Sequence, residues 1–182
     1  MKASELLLTR QSSPRLTTPA PTIEQLDFIL NAAARVPDHG GLTPWEFIIA
    51  QGDGLTRLAE IFVSAAKKSQ ADEALIEKAE KMPFRAPLVI TVVAKTQVHP
   101  KVPMLEQHIA AGCAAMAMQQ AVFSLGLGAV WRSGDFAFDR NVHQDLGLND
   151  NDQIVGFLYI GTPTVTAPIK SLKEGRQFAR FL

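Results

Sequence analysis

Leu88-Val89-Ile90-Thr91-Val92-Val93-Ala94 is an unbroken apolar and β-branched run, entered through Met82-Pro83-Phe84-Arg85-Ala86-Pro87. Without polar alternation, such a run reads as a strand buried on both faces. Gln153 to Ile160 reads the same way, with Gly161-Thr162-Pro163 closing it. Trp45 to Ala50 and Gly128 to Trp131 read as shorter strands. Helical patterns fill the intervals. Ser4 to Thr9 is a short helix with Glu5 in its first turn. Thr22 to Ala34 carries a Thr22/Gln25 capping box after Pro21, and Ile23, Leu26, Ile29, Leu30 and Ala33 line one face. The turn Gly52-Asp53-Gly54 opens a helix reaching about Ser69. Ala71 to Lys81 is a charged, solvated helix, Leu105 to Leu125 a long apolar one, and Arg140 to Leu146 a short one. Few strands, many helices and one sheet make the fold class α+β.

The chain has 182 residues, with Lys plus Arg matching Asp plus Glu at 18 each. That length suits one domain spanning residues 1–182 with a sizeable core. The balanced charge points to neither nucleic acid nor an anionic membrane as a partner. The single Cys113 suits a reducing compartment, and the N-terminal apolar run ending at Arg10 is too short for a secretory core, so the expected location is cytoplasmic. Gln119, Gln120, Gly126 and Gly128 interrupt the apolar stretch 109–131, which reads as a central helix or dimer-interface helix rather than a membrane span. Residues 164–182 show little periodicity. They read as a tail carrying Lys170, Lys173, Arg176 and Arg180 that wraps a neighbouring subunit or frays.

Three segments can carry chemistry. Arg10-Gln11-Ser12, just past a helix end, offers a guanidinium and a hydroxyl to a phosphate; a dipole-complementing arginine and a turn serine would have the same pattern. Ala34-Arg35-Val36-Pro37-Asp38-His39-Gly40-Gly41-Leu42-Thr43-Pro44-Trp45 joins a helix to a strand. Its glycines let backbone approach a ligand, its prolines stiffen it, and Arg35 and His39 can meet an anion or a polar ring edge. In Gly126-Leu127-Gly128-Ala129-Val130-Trp131-Arg132-Ser133-Gly134, glycines at both ends of a strand leave room for a planar ligand, and Ser133 and Gly134 offer amides. His99, His108 and His143 have no paired ligand spacing with each other or with Cys113, which reads as a small core residue. Neither a Gly-x-Ser-x-Gly elbow nor a Gly-x-Gly-x-x-Gly turn is present.

In this order and spacing, from Ser4 to Pro163, these segments resemble the flavin-dependent nitroreductase family, in particular its small, compact branch. The family has an Arg-Arg-Ser element ending the first helix, an opening loop ending in Gln-Pro-Trp, a long helix ending in Gly-Leu-Gly, and a last core strand ending in Gly-x-Pro. The resemblance implies a mainly antiparallel sheet surrounded by helices, in a homodimer with FMN at the subunit interface. Carried over, Arg10 and Ser12 would hold the phosphate of the bound cofactor, with Gln11 between them. Arg35 and His39 would come from the opening loop of the other subunit. Trp131, Arg132 and Ser133 would line the isoalloxazine, with an amide of Ser133 or Gly134 near flavin N5. Ala121, Val122, Phe123, Ser124, Leu125 and Gly126 would contact the nicotinamide nucleotide. NADH or NADPH would reduce the flavin, which would then reduce a nitroaromatic, a quinone or a similar electrophile, in a ping-pong cycle with the hydride chemistry carried by the cofactor.

The sequence departs from the family pattern where Gln11 replaces an arginine, Gly41 an asparagine and Thr43 a glutamine. The family's basic C-terminal residues have candidates in Lys170, Lys173 and Arg176. Two other readings share these features: another flavin reaction on the same fold (dehalogenation, metabolite dehydrogenation, flavin breakdown), and a flavin-binding dimer without turnover.

Overall fold

The computed structural model describes residues 1–165 and 168–182; Thr166 and Ala167, part of the tail, lie outside the described residues. In chain order the elements are α1 (Ala3–Thr9), β1 (Leu16–Thr17), α2 (Ile23–Ala33), β2 (Trp45–Gln51), α3 (Asp53–Lys68), α4 (Glu73–Lys81), β3 (Leu88–Ala94), α5 (Met104–Ser124), β4 (Gly128–Arg132), α6 (Arg140–Asp145) and β5 (Gln153–Pro163). Strand β5 is the hub: it pairs with β3, β4 and β1, while β3 also pairs with β2, and every one of these pairings is antiparallel.

β3 is buried along its whole length, as its unbroken apolar run predicts. Its alternation sorts the core into two layers. Leu88, Ile90 and Val92, with Leu158 and Ile160 of β5, pack on Ile29 and Ala33 of α2 and on Ala114, Ala115 and Met118 of α5. Val89, Val93, Phe157 and Tyr159 face Leu55, Leu58 and Phe62 of α3. Phe62 stacks on Phe136 at 4.7 Å and meets Phe157 edge-on at 5.1 Å. Such pairs add about 0.5–1.5 kcal/mol each beyond their buried area.

The capping box that opens α2 is formed: Gln25 N donates to Thr22 Oγ1 at 3.3 Å, and Thr22 N donates to Gln25 Oε1 at 2.9 Å. Strand β5 runs further than the sequence predicts. Gly161-Thr162-Pro163 continues it instead of closing it, because Leu16 and Thr17 supply a partner. Gly161 permits that approach, since a Cβ there would lie 2.6 Å from Pro87 Cδ and 2.8 Å from Thr17 O. A two-residue strand leaves no periodicity to read, so β1 was invisible in the sequence.

Helix α5 buries one face and leaves apolar residues on the other: Leu105 is 69% and Ile109 55% exposed. Cys113, read from sequence as a core residue, is exposed one turn further along. Among the described residues no helix is long and apolar enough to cross a membrane. The described part of the tail touches its own chain at Gln11, through Pro168 O and Lys170 N. Gly175–Phe178 forms one helical turn, and the Arg176 guanidinium lies 5.8 Å from the Phe181 ring centroid.

Candidate functional site

The chain leaves α1 at Arg10 and runs to the sheet, where Ser13 N donates to Ala129 O of β4 at 2.8 Å. Tail residues 168–173 return over this segment. Leu8 to Ser12 and Ile169 to Lys173 together enclose a cleft of about 430 Å³. Its charged lining is Arg10, Lys170 and Lys173, with no acidic side chain among the residues that form it. The cleft lies at the C-terminal, negative end of α1, so an anion there depends on these cations. Arg10, Gln11 and Ser12 all line this cleft. The structure adds Lys170 and Lys173, which the sequence could name as candidates but not place.

β4 belongs to the rim of the sheet, with β5 its only strand partner among the described residues. Ser13 bonds to the other edge at Ala129. Main-chain groups two residues apart in a strand point the same way, so those of Trp131 face this open edge. Ser133 and Gly134 are exposed at its far end. Ser133 lies about 13 Å from Ala129, at ~3.3 Å per residue. Gly134 has φ +67, a conformation that favours glycine.

The Trp131 and Arg132 side chains leave opposite faces of β4. Trp131 packs with the α5 layer. Its Nε1 donates to Val155 O at 3.2 Å. Val155 sits where the β3–β5 register shifts, between the pairs Val92↔Gly156 and Val93↔Ile154, so the bulge leaves its carbonyl for the indole. Arg132 points to the α3 layer, towards Tyr159. Arg132 Nε and Tyr159 OH are buried without hydrogen-bond partners among the described residues. Burial pushes the Tyr159 phenol above its ordinary range, with Arg85 and Arg132 opposing the rise.

The opening loop is organised by Asp38, which the sequence reading passed over. Its carboxylate accepts from Leu42 N at 3.0 Å and Thr43 N at 2.7 Å. An aspartate bracketing amides four and five residues ahead is a local signal that could have been read. The turn drives Gly40 to φ +80 and Thr43, a β-branched residue, to φ +45. That left-handed threonine stores strain in the loop. His39 Nδ1 lies 2.6 Å from Glu106 Oε2, which stitches the loop to the first turn of α5. Arg35 is exposed and lies outside the cationic cleft, as do His39, Trp131, Arg132, Ser133 and Gly134.

Of the stretch assigned to a nicotinamide nucleotide, Ala121 and Val122 are core residues, 5% and 0% exposed, and offer it no surface. Ser124 and Gly126 are exposed, and Phe123 and Leu125 half-buried. The histidines have structural partners. His143 lies against Arg140 and Ala137, His99 accepts from the amides of Lys101 and Val102, and His108 contacts Met104 O.

Comparison with known proteins agrees with this architecture. The chain is 47% identical over 167 residues to "Putative NAD(P)H nitroreductase YdjA" of Escherichia coli K12, covering 92% of this chain and 91% of that protein. The crystal structure of a nitroreductase-like family protein from Bacillus cereus superposes with a TM-score of 0.86 at 22% identity, covering 100% of this chain and 96% of that one. A Desulfovibrio desulfuricans nitroreductase structure described as a complex with FMN gives a TM-score of 0.75 at 20% identity, covering 97% and 94%. The Nitroreductase family profile matches residues 7–162, so the chain belongs to the nitroreductase family.

Proposed function

We propose that this protein is an FMN-dependent NAD(P)H oxidoreductase that works as a homodimer. The observation that carries the reading is the open edge of β4, with a cationic cleft at one end and exposed Ser133–Gly134 at the other. The donor set fits a phosphorylated planar cofactor. Arg10, Lys170, Lys173 and the Ser12 hydroxyl suit a phosphate monoester, and the outward main-chain groups of Trp131, with the exposed Ser133 beyond the strand end, suit the polar edge of a ring. Held there by Arg10, Lys170, Lys173 and Ser12, FMN would supply the hydride chemistry that links NADH or NADPH to a nitroaromatic, quinone or similar electrophile in a ping-pong cycle.

The residues do the holding. Arg10 and the lysines neutralise the phosphate. Ser133 and Gly134 present amides to the ring edge, where they favour the charge that reduction adds. Trp131, fixed by Val155, buttresses the strand from the α5 side. Phe123, Ser124, Leu125 and Gly126 remain the candidates for nicotinamide contact.

The exposed apolar face of α5 supports the dimer. A helix apolar around its circumference belongs inside a core or against a partner, and an obligate interface buries more than about 2,000 Å². His39 and Glu106 hold the opening loop at the turn that carries Leu105. In such a dimer, Arg35 and His39 of one subunit would reach the other's flavin. The lone cysteine supports a cytoplasmic location.

The test is the visible spectrum of the purified protein before and after anaerobic NADPH. A flavin spectrum that bleaches, and recovers with a nitroaromatic or quinone, is the expected result, and Arg10→Ala should bind FMN more weakly. A protein that stays colourless after incubation with FMN overturns the reading. Bleaching with no acceptor-dependent recovery would favour a flavin-binding dimer without turnover.

A further inference from the structure

Gln11 occupies the position between Arg10 and Ser12 where the family pattern has an arginine. Both ends of its carboxamide face the tail. Nε2 donates to Pro168 O at 3.2 Å, and Oε1 accepts from Lys170 N at 3.2 Å. An amide offers donor and acceptor at one site, whereas a guanidinium only donates and a carboxylate only accepts. Earlier in the chain Thr164 N donates to Arg15 O at 3.1 Å. Beyond Gln11's bonds, no hydrogen bond among the described residues ties 168–182 to the rest of the chain. These tail residues are exposed throughout, so no buried apolar anchor holds them either.

We infer that Gln11 is a positioning residue whose carboxamide clasps residues 168–170 and so seats Lys170 and Lys173 over the Arg10–Ser12 cleft, completing a site for a phosphate monoester. Exchanging arginine for glutamine at position 11 removes one cation from the cleft, but the clasp brings two from the tail. Untied, those ammonium groups would sample the reach of a flexible chain, and their effective concentration at the phosphate would fall. The identity of the ligand rests on the FMN reading, while the clasp rests on the two hydrogen bonds.

The test titrates apoprotein with FMN and with riboflavin, which lacks the phosphate, and follows hydrogen exchange at the Lys170 amide. Gln11→Ala should weaken FMN binding about 10-fold, the scale of one or two net hydrogen bonds. Riboflavin binding should be unchanged and Lys170 exchange faster. The double variant Lys170→Ala/Lys173→Ala should lose about 100-fold for FMN. Adding Gln11→Ala to that background should cost little more, because Gln11 acts through the lysines. Gln11→Glu, which keeps the acceptor but loses the donor, should not restore FMN affinity. Unchanged Lys170 exchange in Gln11→Ala, or additive losses across the three substitutions, overturns the clasp. If the parent protein binds neither flavin, the cofactor reading has failed. The clasp is then judged on Lys170 exchange in Gln11→Ala and on whether inorganic phosphate slows tryptic cleavage after Lys170 and Lys173. Both effects support it, and the loss of either overturns it.

Discussion

Gly156→Ala should unseat Trp131. A Cβ at position 156 would lie 2.1 Å from Trp131 Nε1, 2.6 Å from its Cδ1 and 2.9 Å from the Arg132 carbonyl oxygen. The indole can swing away, but the carbonyl belongs to β4 and can move only with the strand. Displacing the indole forfeits the hydrogen bond to Val155 O, worth about 1 kcal/mol. Overpacking adds about 1–3 kcal/mol, so the expected loss is about 2–4 kcal/mol. For a chain of this size each kcal/mol moves Tm by about 2–4 °C, so melting should fall by about 5–15 °C. In a Trp45→Phe background, Trp131 is the only tryptophan, and its emission should shift to the red. Because β4 moves, FMN affinity should fall as well. Gly112→Ala is the control: its Cβ would lie 4.0 Å from Trp131 Cη2, an ordinary contact, and α5 should gain about 0.5–1 kcal/mol of helix propensity. A Gly156→Ala protein with unchanged Tm and indole emission would refute the claim that this glycine makes room for the tryptophan.

Other measurements probe the sheet end and the α5 face. The Lys95 ammonium is held above the ordinary lysine range by its hydrogen bond to Asp152, with burial opposing the rise and Glu46 adding to it. A raised folded pKa gives stability that is complete below the unfolded value of about 10.4 and drains as pH climbs through the folded value. Urea midpoints of the wild type should therefore fall more steeply above about pH 10.5 than those of Lys95→Met, and parallel alkaline slopes would disprove the linkage. At neutral pH Lys95→Met leaves Asp152, 2% exposed, without its cation. We expect a cost of about 1–3 kcal/mol, below the fully buried figure because the Lys95 side chain is partly exposed. Ile109→Glu places a charge on the apolar face of α5 and should convert the proposed dimer to monomer by light scattering, raising the reactivity of Cys113 towards thiol reagents. A dimer that survives with Cys113 equally reactive moves the interface elsewhere.

The parts of the fold legible in the sequence were those whose signal is local and periodic. β3 and β5 announced themselves by apolar runs, α2 by its capping box, and α5 by its length. β1 is two residues long and exists only because β5 passes beside it, so nothing local encodes it. The same divide runs through the candidate site. Arg10-Gln11-Ser12 and Gly126 to Gly134 are contiguous and could be recognised, but the lysines that share Arg10's cleft arrive from about 160 residues further on, through bonds to a glutamine that the motif alone presents as a departure.

Strand parity shows what the site can use. Trp131 and Arg132 are neighbours in sequence, and an extended strand sends consecutive side chains to opposite faces. Burial confirms the split, with Trp131 among the α5-side residues and Arg132 directed to Tyr159. What the two ends of β4 share is therefore main chain, not side chain. An edge strand offers unpaired amides and carbonyls at fixed spacing, and here its rigidity comes from an indole locked by a β-bulge on one side and the aromatic layer of Phe62, Phe136 and Phe157 on the other. Substitutions that preserve β4 but change Arg132, such as Arg132→Met, should leave FMN affinity closer to wild type than Gly156→Ala does, because the first alters one side chain and the second displaces the edge itself. Flavin titration of the two variants decides the point. A larger loss in Arg132→Met would mean that the guanidinium, with its buried and unpartnered Nε, reaches the cofactor directly.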